Sequence, residues 1–76
     1  MDIQIHGEYI TLGQLLKKAQ IVASGGEVKS LLAEERVLVN GAVETRRGRK
    51  LRDGDEVLVE GAAYRVVSEP DGHPPR

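Results

Sequence analysis

"VLVNGAVETRRGRKLRDGDEV", residues 37–57, is the stretch on which the reading of this chain turns. Val37 and Val39 share one face of a strand. Asn40-Gly41 follows, the strongest short hairpin signal, because a type I′ turn needs positive φ at both central residues. Val43 and Thr45 lie on the return. "RDGDE" reads as a second turn, since Asp and Gly suit tight backbone. The strand "VLVE" comes next, and a turn at Gly61-Ala62 leads into "AYRVV". This half of the chain is antiparallel β. Inside it, five of the seven side chains from Arg46 to Arg52 are cationic.

Toward the N-terminus the apolar period changes from two to 3.6. In "ASGGEVKSLLAEE", Ser24 and Glu27 have capping-box spacing, and Val28, Leu31 and Leu32 form a stripe. "ITLGQLLKKAQ" repeats the logic. Thr11 and Gln14 make the box, Ile10 can staple onto Leu15, and Leu12, Leu15, Leu16 and Ala19 form the stripe. Gly13 in that first turn costs about 1 kcal/mol relative to alanine, so something outside the helix should favour a small residue there. With only "QIVA" between them, the helices are close neighbours. Gly25 and Gly26 at the second helix start have two readings. They leave backbone N–H groups open to a phosphate, or they permit close helix approach. Before both helices, "DIQIHGEYI" alternates as a short strand and turn.

These pieces give an α/β (α+β) fold, with two short packed helices against a small, mainly antiparallel sheet. The 76 residues suffice for one domain, which buries only about 60% of its unfolded surface. Aromatics are nearly absent, so the core must be aliphatic. Leu12, Leu15, Leu16, Val28, Leu31, Leu32, Val37, Val39, Val57 and Val59 are expected inside. The domain should occupy 1–67, and "SEPDGHPPR", residues 68–76, should be a disordered tail. Having no cysteine suits a reducing compartment. The N-terminus does not read as a signal peptide, and no apolar run nears the ~20 residues of a membrane span, so a cytoplasmic protein without membrane partners is expected.

Charge is distributed unevenly. The formal net charge is −1, yet residues 46–52 carry +5 and the remainder −6. Local potential rather than net charge steers a polyanion to its site. The bland alternative is a solvated loop that keeps the protein soluble.

The order of helix, helix, "VLVNG", basic loop and "GDEV" resembles the RNA-binding domain of the ribosomal protein S-four type, the alpha-L motif. That module recurs in pseudouridine synthases, tyrosyl-tRNA synthetases and a ribosome-associated heat-shock protein. The similarity covers about residues 8–60. "ITLGQLLK", "SGGEVKSLL", "VNGAVETRRGRKL" and "GDEV" are closer still to small stand-alone bacterial members, resembling ribosome-associated proteins implicated in large-subunit biogenesis. By that resemblance Ser24 matches the serine opening helix two, and Lys29 stands where the family usually carries an RNA-facing arginine. Three positions depart from the family. Thr11 and Gly25 occupy the places of common arginines, and Glu35 replaces a glycine that often has positive φ. The RRGRK loop would compensate for the missing helix arginines.

Independently of the resemblance, Lys17 and Lys18 lie off the first apolar stripe and Lys29 off the second. With Arg46, Arg47, Arg49, Lys50 and Arg52 they would line a phosphate track, helped by the N–H groups at Ser24, Gly25 and Gly26. Arginine suits this because its planar fork binds phosphate through two N–H groups. Tyr9 and Tyr64 are remote in sequence from the basic loop, so base stacking should add little, and backbone recognition of structured RNA is favoured.

Enzymatic readings find no support. His6 and His73 are isolated from each other, "RDGDE" lacks the spacing of a calcium loop, and no nucleotide loop, nucleophile motif or metal-ligand set occurs. The expectation is a non-catalytic RNA-binding protein without cofactor. Its partner would be structured RNA, ribosomal by resemblance, in the large subunit or its precursor. A protein-interaction module is the alternative, and DNA binding a third possibility.

Overall fold

Asn40 and Gly41 both take left-handed backbone, with φ of 51° and 89°, as a type I′ turn requires. They join β3 (Val37–Val39) to β4 (Ala42–Val43) in the computed structural model, which describes residues 1–69. The Asn40 side chain ties the turn to the next strand. Its amide donates to Asp55 Oδ1 (3.1 Å), and its Oδ1 accepts from Glu56 N–H (3.0 Å).

β6 (Glu56–Val59) pairs antiparallel with β3 and with β7 (Ala62–Glu69). The turn between β6 and β7 is Glu60-Gly61, one residue earlier than the expected Gly61-Ala62. Both residues have positive φ (50° and 87°), making a second turn of the Asn40-Gly41 kind, with Glu60 in the place that asparagine favours. β1 (Asp2–His6) then joins β7 in parallel, so the sheet order is β1-β7-β6-β3-β4. The sheet is mixed, with every pair except β1–β7 antiparallel. β7 also runs beyond Val67: Ser68 lies opposite Ile5 and Glu69 opposite His6, so the domain extends past its expected end. Ser68 is fixed further by its hydroxyl donating to Gly7 O (2.6 Å) and its N–H to Asp53 Oδ1 (2.9 Å). Residues 70–76, the rest of the anticipated tail, lie outside the described residues.

The helices cover one face of this sheet. α1 (Leu12–Lys18) has the full capping box, with Thr11 Oγ1 accepting from Gln14 N–H and Gln14 Oε1 from Thr11 N–H. α2 (Gly25–Ala33) has half of one. Ser24 Oγ accepts from Glu27 N–H, but Glu27 Oε1 accepts from Ala23 N–H (2.6 Å) instead of from Ser24. Past the end of α2, Glu35 has φ 58°, the conformation that usually selects glycine.

All ten residues expected in the core are buried. Ile3, Ile5, Ile10, Val22, Leu51 and Val66 complete it. Leu51 belongs to a separate element, where β5 (Lys50–Leu51) pairs antiparallel with β2 (Ile10–Thr11) beside the helix start. Buried Ile10 and Leu51, opposite each other in that pair, anchor the basic segment to the core.

Candidate nucleic-acid interface

The cationic loop is docked, and its backbone does the docking. Leu12 N–H donates to Arg49 O (2.8 Å) and Gly13 N–H to Arg47 O (2.9 Å). With Thr11 taking Gln14 N–H, three first-turn donors of α1 are satisfied. Gly13 shows why a small residue belongs there. A Cβ on it would already touch Arg47 Cβ and O (both 3.5 Å) and Val28 Cγ1 (3.7 Å). Loop, α1 and α2 meet at this position.

The loop is also held from within by a residue that reading the sequence missed. Glu44, 7% exposed, is the sole buried polar side chain among the described residues. Its Oε2 accepts from Thr45 N–H, Arg46 N–H and Arg46 Nε (3.0, 3.0 and 3.2 Å), and its Oε1 from an Arg49 Nη (3.0 Å). The Arg46 side-chain and backbone bonds, then the Arg49 bond, lower its pKa from 4.5 to about 2, against the opposing effect of burial. The available signal was parity. Val43 faces outward, so an acid one residue on turns inward toward the arginines that follow.

Among the described residues Arg47 forms no ion pair. It is exposed, and its guanidinium lies 4.0 Å from where a Cβ on Gly25 would stand. Helical spacing then places two lysines around it. Lys17 is four residues after Gly13 and Lys29 four after Gly25, so each is one turn along the face that Arg47 meets. Both are exposed. Lys18, also exposed, is rotated off that face in the last turn of α1, where a cation complements the helix dipole. Arg46, Gly48, Arg49 and Lys50 line an open basin of about 340 Å³.

Gly25 and Gly26 do not serve close helix packing. A Cβ on either would meet at most one side-chain atom, Arg47 Nη2 or Ser24 Oγ, at about 4 Å. The helix contact belongs to Gly13. Glu27, however, puts a carboxylate in the same turn, so the α2 N-terminus already has an anionic neighbour.

The expected separation of aromatics from the basic loop does not hold. Tyr9 lies against it, with Lys50 Nζ 4.8 Å and Arg52 Cζ 5.9 Å from its ring centroid. The β2–β5 pairing makes this contact, across 41 to 43 positions of sequence. Elsewhere, "RDGDE" forms the expected turn. Asp55 Oδ2 accepts from Arg52 N–H (2.8 Å) and Gly54 has φ 92°. Among the described residues no three His, Asp or Glu side chains converge to hold a metal, and no helix is long and apolar enough to cross a membrane.

Sequence comparison supplies the remaining finding. A probable ribosome maturation protein of Bacillus subtilis (strain 168), RlbA, is 51% identical over 67 residues, covering 87% of this chain and 94% of that protein. An Escherichia coli (strain K12) protein carrying the name "Putative RNA-binding protein YbcJ" is 38% identical over 60 residues, covering 79% and 86%. The profile of the S4 domain matches residues 3–67, extending on both sides the 8–60 over which the resemblance was legible. With the docked basic loop, the type I′ hairpin and these matches together, the chain belongs to the S4 domain family.

Proposed function

We propose that this protein binds structured RNA without catalysing a reaction, and that it acts in the cytoplasm on ribosomal RNA of the large subunit or its precursor during assembly. The carrying observation is the loop 46–50 held rigid against both helix starts. Its carbonyls cap α1, Glu44 orders two arginines from inside, and Arg47 reaches α2. Cations fixed before binding avoid the ordering cost a floppy loop would incur. The domain family and the relatives' names, one a ribosome maturation protein and one an RNA-binding protein, support the same reading. In this reading Lys17, Lys29, Arg46, Arg47, Arg49, Lys50 and Arg52 contact phosphates, with Lys18 at the margin. Ser24, Gly25 and Gly26 offer N–H groups, shared with Glu27.

A rigid backbone reader should prefer RNA whose phosphates are already in place. A structured ribosomal fragment is expected to bind at least ~10-fold tighter than an unstructured RNA of equal length, a difference of ~1.4 kcal/mol. The log-log salt slope should be about −3 to −5, for roughly five phosphates at ~0.7–0.9 each. Lys17, Lys29 and Arg47 replaced together by Gln should flatten that slope by about 2 to 3 and leave the melting curve in place, because none of them pairs with Glu44. Unchanged binding by that variant would overturn the proposal. Reversing Arg46, Arg47 and Arg49 to glutamate, the obvious test from sequence, is a poor choice. It would strand the buried Glu44 carboxylate among like charges and unfold the loop.

One observation favours the protein-interaction reading. Val43, Leu38, Leu58 and Ala63 align across four strands on the face away from the helices, with Val43 50% and Leu58 40% exposed. Leu58→Lys should leave RNA affinity unchanged if the basic loop is the RNA site.

A further inference from the structure

We infer that Tyr9 is a base-stacking platform, so that the bound RNA presents an unpaired nucleobase beside the phosphates held by the basic loop. The inference rests on the RNA-binding reading and adds to it a class of target. Ile10 pairs with Leu51 and Thr11 with Lys50, and Ile10 and Leu51 point into the core. Alternation along both short strands therefore sends Tyr9, Lys50 and Arg52 outward together. Tyr9 is 45% exposed, and its ring has cationic groups at 4.8 and 5.9 Å. The other aromatic, Tyr64, is packed against the core.

Three features make this arrangement a nucleotide site and not a surface accident. First, the backbone beside the ring is fixed, because the next residue, Ile10, is buried opposite buried Leu51 and Thr11 caps α1. Second, Lys50 links the ring to the loop, since it both lies over Tyr9 and lines the basin with Arg46, Gly48 and Arg49. Third, the chemistry is complementary. A phosphate draws Lys50 and Arg52 toward itself, and the π-face they leave accepts the base attached to it. Stacking of this kind is tolerant of base identity but demands an unstacked base. A continuous duplex has none, whereas a bulge, loop or junction does.

The test uses the full chain with two RNAs of equal length, a hairpin with an unpaired loop and a fully paired duplex. Tyr9→Phe should bind both within about 2-fold of wild type. Tyr9→Ala and Tyr9→Leu should bind the looped RNA about 5- to 50-fold more weakly, with the salt slope unchanged and the duplex unaffected. In a Tyr64→Phe background Tyr9 is the sole tyrosine, and with no tryptophan in the chain its emission should be quenched by the looped RNA only. Wild-type affinity in Tyr9→Ala overturns the inference. So does an equal loss on both RNAs with a shallower salt slope, which would mean that Tyr9 merely positions Lys50 and Arg52. If wild-type protein binds neither RNA, the RNA-binding reading itself fails, before any Tyr9 variant is compared.

Discussion

Removing the negative charge of Glu44 separates what the basic loop owes to order from what it owes to charge. Glu44→Gln keeps the shape but turns an amide NH2 toward the Arg46 or Arg49 donor that the carboxylate had accepted. A shift from 4.5 to about 2 corresponds at face value to roughly 3 kcal/mol. That figure must be reduced, because the Arg46 side chain is 75% exposed and Arg49 36%, so water screens both attractions. The expected loss at pH 7 is about 1–2 kcal/mol. With a urea m-value near 1 kcal/mol/M for a domain this small, the midpoint should fall by about 1–2 M. The folded-state pKa is lowered, so the carboxylate's contribution is complete above about pH 4.5 and drains away as pH falls toward about 2. Urea melts at pH 7, 4 and 2 should therefore show wild type and variant converging as acid is added. RNA binding gives a second readout with opposed signs. If charge alone mattered, the variant, one unit more positive, would bind tighter. If Glu44 orders the loop, it binds more weakly. Equal stability at pH 7, or a gap that persists undiminished at pH 2, would refute the argument.

Other perturbations have equally definite expectations. Leu16→Ala, at a side chain with no exposure, should cost about 2–5 kcal/mol in denaturant melts, and a loss below half a unit would misplace the residue. Gly13→Ala should be neutral or up to ~1 kcal/mol stabilising, since the methyl finds ordinary contacts and favours the helix, whereas Gly13→Val should cost about 1–3 kcal/mol by pushing on Arg47 or Val28. Glu35→Gly should raise stability by about 0.5–1 kcal/mol in the same melts, because φ 58° suits glycine at a helix end.

What could be read in the sequence was local. Thr11–Gln14 and Ser24–Glu27 marked both helix starts because capping acts over three residues, although Glu27 in the end bonded Ala23. Asn40-Gly41 fixed one hairpin. The other slipped by a residue because glutamate, not asparagine, takes the first left-handed position at Glu60, where side-chain chemistry gives no warning. The cationic side chains of the candidate site were legible as a cluster, but their organisation was not. Glu44 reads as one acid among twelve until strand parity turns it inward. Tyr9 reads as remote from Lys50 until two two-residue strands pair, and strands so short have no periodicity to detect.

The parallel pairing of β1 with β7 has a consequence for how the chain comes to be folded. Ile3 faces Val66 and Ile5 faces Ser68, 63 residues away in each case, while the other pairings of the same five-stranded sheet join hairpins or strands about twenty residues apart. Closing the longer span costs about 1 kcal/mol more in chain entropy than closing the β3–β6 span, so β1 should dock late, onto a helix-and-hairpin unit already formed. On the ribosome the delay has a clock. At roughly 5–20 residues per second, Ile3 and Ile5 are made about 3–13 s before their partners. During that interval two isoleucines destined for the core have nothing to cover them. The last strand synthesised, not the first, therefore sets the moment at which this domain closes.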